Sequence, residues 1–140
     1  MSTEQVKGKS VKQDRNMRLA KAQESLQAAE NCLALGLVNS CASRCYYAMF
    51  QAAVVALATA GFHRDTWSHA ALQATFTTEL IHRRKLYPRS LAQYLNRTLF
   101  WRNIADYADT DTSQRRARQL VAWAQAFVSA VEEVTDHESP

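Results

Sequence analysis

The sequence predicts an all-α protein, an up-and-down bundle of four to five helices, and three observations carry that prediction. Glycine and proline together occupy only five of 140 positions. Apolar residues make up 47% of the chain, enough for a packed core rather than a disordered coil. Those residues recur at spacings of three and four over long stretches, the period that places them on one face of a helix. At this length the chain reads as one domain, able to bury roughly two-thirds of the surface its unfolded form exposes.

Residues 1–12 are polar and carry Lys7, Lys9 and Lys12; they read as a flexible basic arm. A single helical domain is expected over 13–135, followed by a disordered tail over 136–140. The first helix should run from about Gln13 to Leu35. Leu19, Ala22, Leu26, Ala29 and Leu33 form its apolar stripe, and Gly36 is its stop.

The second helix, about Asn39 to Ala60, organises the rest. Asn39 and Ser40 offer capping oxygens, and Gly61 follows as a stop. From Ser43 to Leu57 it is apolar on nearly every side, which predicts burial all round. Arg44 would then be a buried guanidinium, and a buried charge requires a partner. Asp106 is the candidate carboxylate, so Arg44, Asp106 and Tyr47 are expected to form an internal ion network.

A loop over Phe62–Trp67 precedes a third helix from about Ser68, its cap, to His82. His69 shares a face with Leu72, Phe76 and Leu80, which points it inward or along a groove. A lone histidine on such a face is more often a satisfied core residue than a catalytic one. The turn His82–Arg89 is the densest basic patch. Arg83, Arg84 and Lys85 are either a solvated loop or a surface that contacts RNA or nucleotide phosphates.

The fourth helix, about Ser90 to Ala108, holds the most informative pattern. Leu91, Leu95, Leu99, Arg102 and Asp106 lie on one track, so two charges continue an apolar stripe. On an outer face such an Arg–Asp pair is ordinary and weak. On an inward face it needs a compensating network or a water-filled cleft. Thr110-Asp111-Thr112 breaks the chain, and the fifth helix runs from about Thr112 to Val134. Its stripe is Leu120, Trp123, Phe127, Val131 and Val134, with Arg115, Arg116 and Arg118 near its start.

The net charge of +4 permits RNA or an acidic partner without demanding either. Cys32, Cys41 and Cys45 are an odd set inside helices, which reads as reduced, structural and cytoplasmic. Cys41 and Cys45 stand one turn apart without a second ligand pair, so no metal is expected. No Gly-rich phosphate loop is present and no cofactor is expected. The N-terminus has no apolar signal core. The longest apolar run, Ala52–Phe62, is about half a membrane span, so the chain reads as soluble.

Three motifs in order resemble one family. Ser43-Arg44-Cys45-Tyr46-Tyr47-Ala48-Met49-Phe50, Ser68-His69 and Arg102-Asn103-Ile104-Ala105-Asp106-Tyr107 are similar to signatures of the HEPN (higher eukaryotes and prokaryotes nucleotide-binding) family. They match its bacterial and archaeal branch with Arg-x-Tyr-Tyr-Ala and Arg-x-x-Ala-Asp-Tyr cores, over about residues 15 to 132. The resemblance implies a helical bundle that forms a homodimer, with polar fourth-helix residues facing one cleft. It also implies a small nucleotidyltransferase as partner, often in a toxin–antitoxin pair. Active members cleave RNA without a metal, using an Arg followed after four to six residues by a His. Histidine moves protons near neutrality and arginine holds phosphate oxygens in a fork.

This chain departs from that pattern, because Tyr107 stands where the His should follow Arg102. With a pKa of about 10, tyrosine is a poor base at neutral pH. The literal Arg–His spacing at Arg64 and His69 bridges a loop and a helix start, and twelve Arg and four His make one such spacing unsurprising. Two functional readings follow. One is a homodimeric module that binds RNA or nucleotide without strong catalysis. The alternative is a metal-independent ribonuclease toxin in which Arg102 binds the phosphate and His69 or Tyr107 assists proton transfer. In some relatives a motif tyrosine receives adenylate from the partner enzyme, and Tyr107 matches it here. A third, architectural reading makes Arg44, Asp106 and Arg102 only a network that sets helix register.

Overall fold

The computed structural model describes residues 3–108 and 111–138, with side chains over 12–108 and 111–137. Among these residues the elements are all helical: α1 (Thr3–Ala34), α2 (Val38–Thr59), α3 (His69–Thr75), α4 (Arg89–Tyr107) and α5 (Gln114–Glu138). A π-helical stretch, Phe76–Arg83, continues α3 without a break. The all-α expectation holds. Helix α1 begins at Thr3 rather than near Gln13. The lysines of the expected arm at Lys7 and Lys9, and Ser139 and Pro140 of the expected tail, lie outside the described side chains. So do Asp109 and Thr110.

Both predicted glycine stops appear, for one physical reason. Gly36 (φ 74°) and Gly61 (φ 98°) adopt the left-handed conformation that costs other residues a steric clash. Each closes its helix with paired reverse hydrogen bonds, Leu37 N–H to Cys32 O at 2.8 Å and Gly36 N–H to Leu33 O at 3.1 Å for α1. For α2 the bonds are Phe62 N–H to Leu57 O at 2.8 Å and Gly61 N–H to Ala58 O at 3.0 Å. Ser68 caps α3 by accepting from Ala71 N–H at 3.1 Å.

Asn39 and Ser40 do not cap α2, which starts at Val38 after Leu37 with no side-chain cap. Asn39 instead clasps the α4–α5 connection. Its amide donates to Asp111 Oδ1 and its carbonyl accepts from Thr112 N–H, both at 2.9 Å. Helix α5 is opened by Ser113, whose hydroxyl accepts from Arg116 N–H at 3.0 Å, rather than by Thr112.

Helix α2 packs against α1, α4 and α5 and forms the centre of the core. Its C-terminal half, Gln51–Leu57, is buried all round as expected. Its N-terminal half is not. Cys41, Ala42, Cys45, Tyr46, Ala48 and Met49 face inward, while Arg44 and Tyr47, three residues apart on the opposite face, are exposed. The expectation of a buried Arg44 is therefore corrected: the helix is amphipathic where its arginine sits. A second aromatic cluster ties the far side, with Phe76 stacked on Tyr87 at 5.4 Å and on Phe127 at 5.3 Å. No described helix is long and apolar enough to cross a membrane.

Candidate functional site

The inward track of α4 changes character along its length. Leu91 and Leu95 are buried; Leu99 and Arg102 are half-buried. At Arg102 the track leaves the core and enters a pocket of about 320 Å³ between α2, α3 and α4. Tyr46 and Phe50 wall it from α2, His69 from α3, and Arg102 and Asp106 from α4. Ser43, Arg44 and Tyr47 complete the lining on the open side of α2.

Arg102 is held rather than free. Its Nε lies 3.1 Å from Asp106 Oδ2, with side chains 29% and 30% exposed. The other carboxylate oxygen accepts the Ser43 hydroxyl at 2.8 Å, so α2 fixes the acid that fixes the arginine. The guanidinium carbon sits 5.8 Å from the Tyr46 ring centroid, close enough for a cation–π attraction. The expected Arg44–Asp106 ion pair is not formed: Asp106 pairs with Arg102 on its own helix, and Arg44 only lines the pocket from an exposed position. Tyr47 likewise is an exposed lining residue, not a member of an ion network.

Tyr46 connects the pocket to its histidine. The residue is 3% exposed, and its hydroxyl lies 2.6 Å from His69 Nδ1. The two rings meet at 5.3 Å, and Phe50 meets the His69 edge at 5.5 Å. Burial pushes the Tyr46 phenol up to about 12, against the lowering effect of the Arg102 charge. Tyr46 therefore keeps its proton near neutrality and is the donor to His69 Nδ1. That assigns the imidazole's own proton to Nε2, the outer nitrogen of an exposed ring.

Arg102 and His69, predicted from separate helices, thus meet in one pocket. Arg64 does not share it; that residue stacks over Trp67 at 4.4 Å, and the literal Arg64–His69 spacing has no common site. Tyr107 is 79% exposed at the end of α4 and is not among the pocket's walls, so a role for it in proton transfer there is corrected. The basic turn is also elsewhere. Arg83 is paired with Glu79 at 3.0 Å, and Arg84 donates to Ala60 O at 2.9 Å and stacks on Phe62 at 5.2 Å. Lys85 adopts a positive φ of 53° in the same turn. Ala60 lies about 15 Å along α2 from Phe50, at 1.5 Å rise per residue. The turn therefore does not wall the Arg102 pocket.

Sequence reasoning missed Tyr46, Ser43 and Phe50. The signal existed: Tyr46 is in helical phase with Ala42, Met49 and Ala53, and Tyr47 with Ser43 and Arg44. Among the described residues no group of three or more His, Cys, Asp or Glu side chains is placed to hold a metal. A family model described as the HEPN domain matches residues 16–134. No curated protein matches the chain.

Proposed function

Because the chain belongs to the HEPN domain family, we propose that the pocket between α2, α3 and α4 receives an RNA phosphate and that Arg102 and His69 cleave the chain there. The observation that supports this reading most is the meeting of those two residues from different helices, with His69 anchored by Tyr46. The His absent after Arg102 is supplied from α3 instead.

Arg102 binds non-bridging oxygens and steadies the charge that builds on phosphorus. The ribose 2′-oxygen bonds to phosphorus and its proton leaves to solvent. The bond from phosphorus to the 5′-oxygen breaks, giving a 2′,3′-cyclic phosphate and a 5′-hydroxyl. His69 presents Nε2–H to that leaving oxygen. As the imidazolium it transfers the proton, and the Tyr46 hydroxyl turns to accept from Nδ1–H. No metal takes part.

Purified protein incubated with RNA in excess chelator tests this. Cleavage leaving cyclic phosphate ends, lost in both Arg102→Ala and His69→Ala, is the expected result. Unchanged cleavage in either variant refutes it. A second reading, binding without cleavage, is favoured by the Arg102–Asp106 pair, which already compensates the charge a substrate would meet. Retained RNA affinity with no cleavage selects that reading.

The same proposal includes a homodimer and a small nucleotidyltransferase partner. Phe100, 57% exposed, and Tyr107 lie two turns apart on the outer side of α4, an aromatic pair suited to self-association. Tyr107 is also exposed enough to receive adenylate. Mass spectrometry after coexpression with such an enzyme reads that directly.

A further inference from the structure

A larger recess, of about 620 Å³, lies at the other end of α2, between α1 and the loop over 61–68. It shares no lining residue with the Arg102 pocket. Arg15 and Arg18 enter it from α1 and Arg64 from the loop, while Val54, Ala58 and Phe62 supply an apolar wall.

The cations there are poorly compensated. Asp14 and Asp65 also line the recess, so three guanidiniums face two carboxylates. Among the described residues none of these arginines is within ion-pair distance of an acid. Arg18 Nη1 donates only to neutral Gln51 Oε1 at 3.3 Å, and Arg15 Nη1 only to Thr59 Oγ1 at 3.4 Å. That hydroxyl's own proton is committed to Val55 O at 2.9 Å. Arg15 Nε is buried with no acceptor at all. Leaving a buried charged donor without a partner is costly, and a modest turn of the side chain into the recess would bring it to an anion. A guanidinium edge matches the oxygens of a phosphate two at a time.

We propose that this recess is a second binding site, for a phosphate ester of a small planar molecule of nucleoside size. Its phosphate lies on Arg15 and Arg18, and its organic part lies against Val54, Ala58 and Phe62. Trp67, which also lines the recess beneath Arg64, reports the event by its fluorescence. The site is independent of RNA cleavage at Arg102.

The test titrates the full chain with adenosine monophosphate, inorganic phosphate and adenosine, following calorimetry and tryptophan fluorescence. The monophosphate binds; adenosine does not; inorganic phosphate binds more weakly. Arg15→Gln and Arg18→Gln each weaken binding about tenfold. Trp67→Phe abolishes the fluorescence change while the heat of binding remains. Arg118→Gln, which removes the same charge from an exposed position, leaves the affinity unchanged. Should Arg15→Gln fail to fold by circular dichroism, Arg18→Lys decides: it keeps the charge but loses the fork, and weakens binding several-fold. No binding at millimolar ligand, or affinity unchanged in the Arg18 variants, overturns the proposal. Equal binding of inorganic phosphate overturns the apolar wall's role. Displacement of the monophosphate by RNA bearing a 5′-hydroxyl assigns the recess to an RNA backbone and overturns it too.

Discussion

Replacing His69 by alanine should destabilise the protein more than replacing Tyr46 by phenylalanine, although both remove the same 2.6 Å hydrogen bond. The asymmetry comes from burial. In Tyr46→Phe the ring keeps its contacts with His69, Phe50 and Arg102, and only the hydroxyl is lost. The imidazole left behind is exposed, so water replaces the lost donor and the cost is about 1 kcal/mol. In His69→Ala the group left behind is the hydroxyl of a residue only 3% exposed. An orphaned buried hydroxyl costs about 1–3 kcal/mol, and the lost aromatic contacts add about 0.5–1.5 kcal/mol. Once Tyr46 is phenylalanine there is no hydroxyl to orphan. The double variant should then fall short of the summed single effects by about 1 kcal/mol. Urea unfolding of the four proteins near neutral pH, followed by circular dichroism, gives all three numbers. Additivity within about 0.3 kcal/mol, or a larger loss in Tyr46→Phe than in His69→Ala, refutes the assignment of a coupled pair.

Further outcomes follow from other parts of the structure. Arg44→Ala should change stability by no more than about 0.5 kcal/mol, since the residue is exposed; a loss of several kcal/mol in the same unfolding assay would mean that it holds a buried partner. Gly61→Ala should lower stability by about 1 kcal/mol through backbone strain alone, because an added Cβ meets nothing within 4 Å while φ stays at 98°; an unchanged melting temperature would contradict it. Tyr46 has a folded-state pKa raised above its unfolded value. Its contribution of about 3 kcal/mol is therefore complete below pH 10 and lost as pH rises through about 12. Tyrosinate absorbance shows one ring ionising near pH 12 in the folded state, and melts across that window show the falling stability. Among the cysteines, Cys41 and Cys45 should resist alkylation in the native protein, being fully buried, whereas half-buried Cys32 reacts first, as peptide mapping of the labelled chain reveals.

How much of this was legible beforehand differs by the range of the interaction. Helix positions were readable because three- and four-residue spacing is local, and Gly36 and Gly61 mark stops through their own backbone. The track from Leu91 to Asp106 correctly pointed to a groove, because charges do not continue a buried stripe without cause. The environment of Arg44 was misread. Counting Tyr47 and Phe50 as core made α2 look apolar all round, but both wall an open pocket instead. Phase within the helix separates Tyr46 from Tyr47; composition does not. The pairing of His69 with Tyr46 depends on how α3 lands on α2, a long-range matter that no local pattern encodes. The π-helical stretch over Phe76–Arg83 has no sequence signal that we can name.

The hydroxyl of Ser43 on the Asp106 carboxylate adds a polar tie between two helices already packed against each other. An axial shift of α4 against α2 breaks that tie and leaves Asp106 oriented by Arg102 alone, its partner on the same helix. Cleft shape and helix alignment are thereby made a single variable. Ser43→Ala should remove that tie while leaving the Arg102–Asp106 pair on α4 in place.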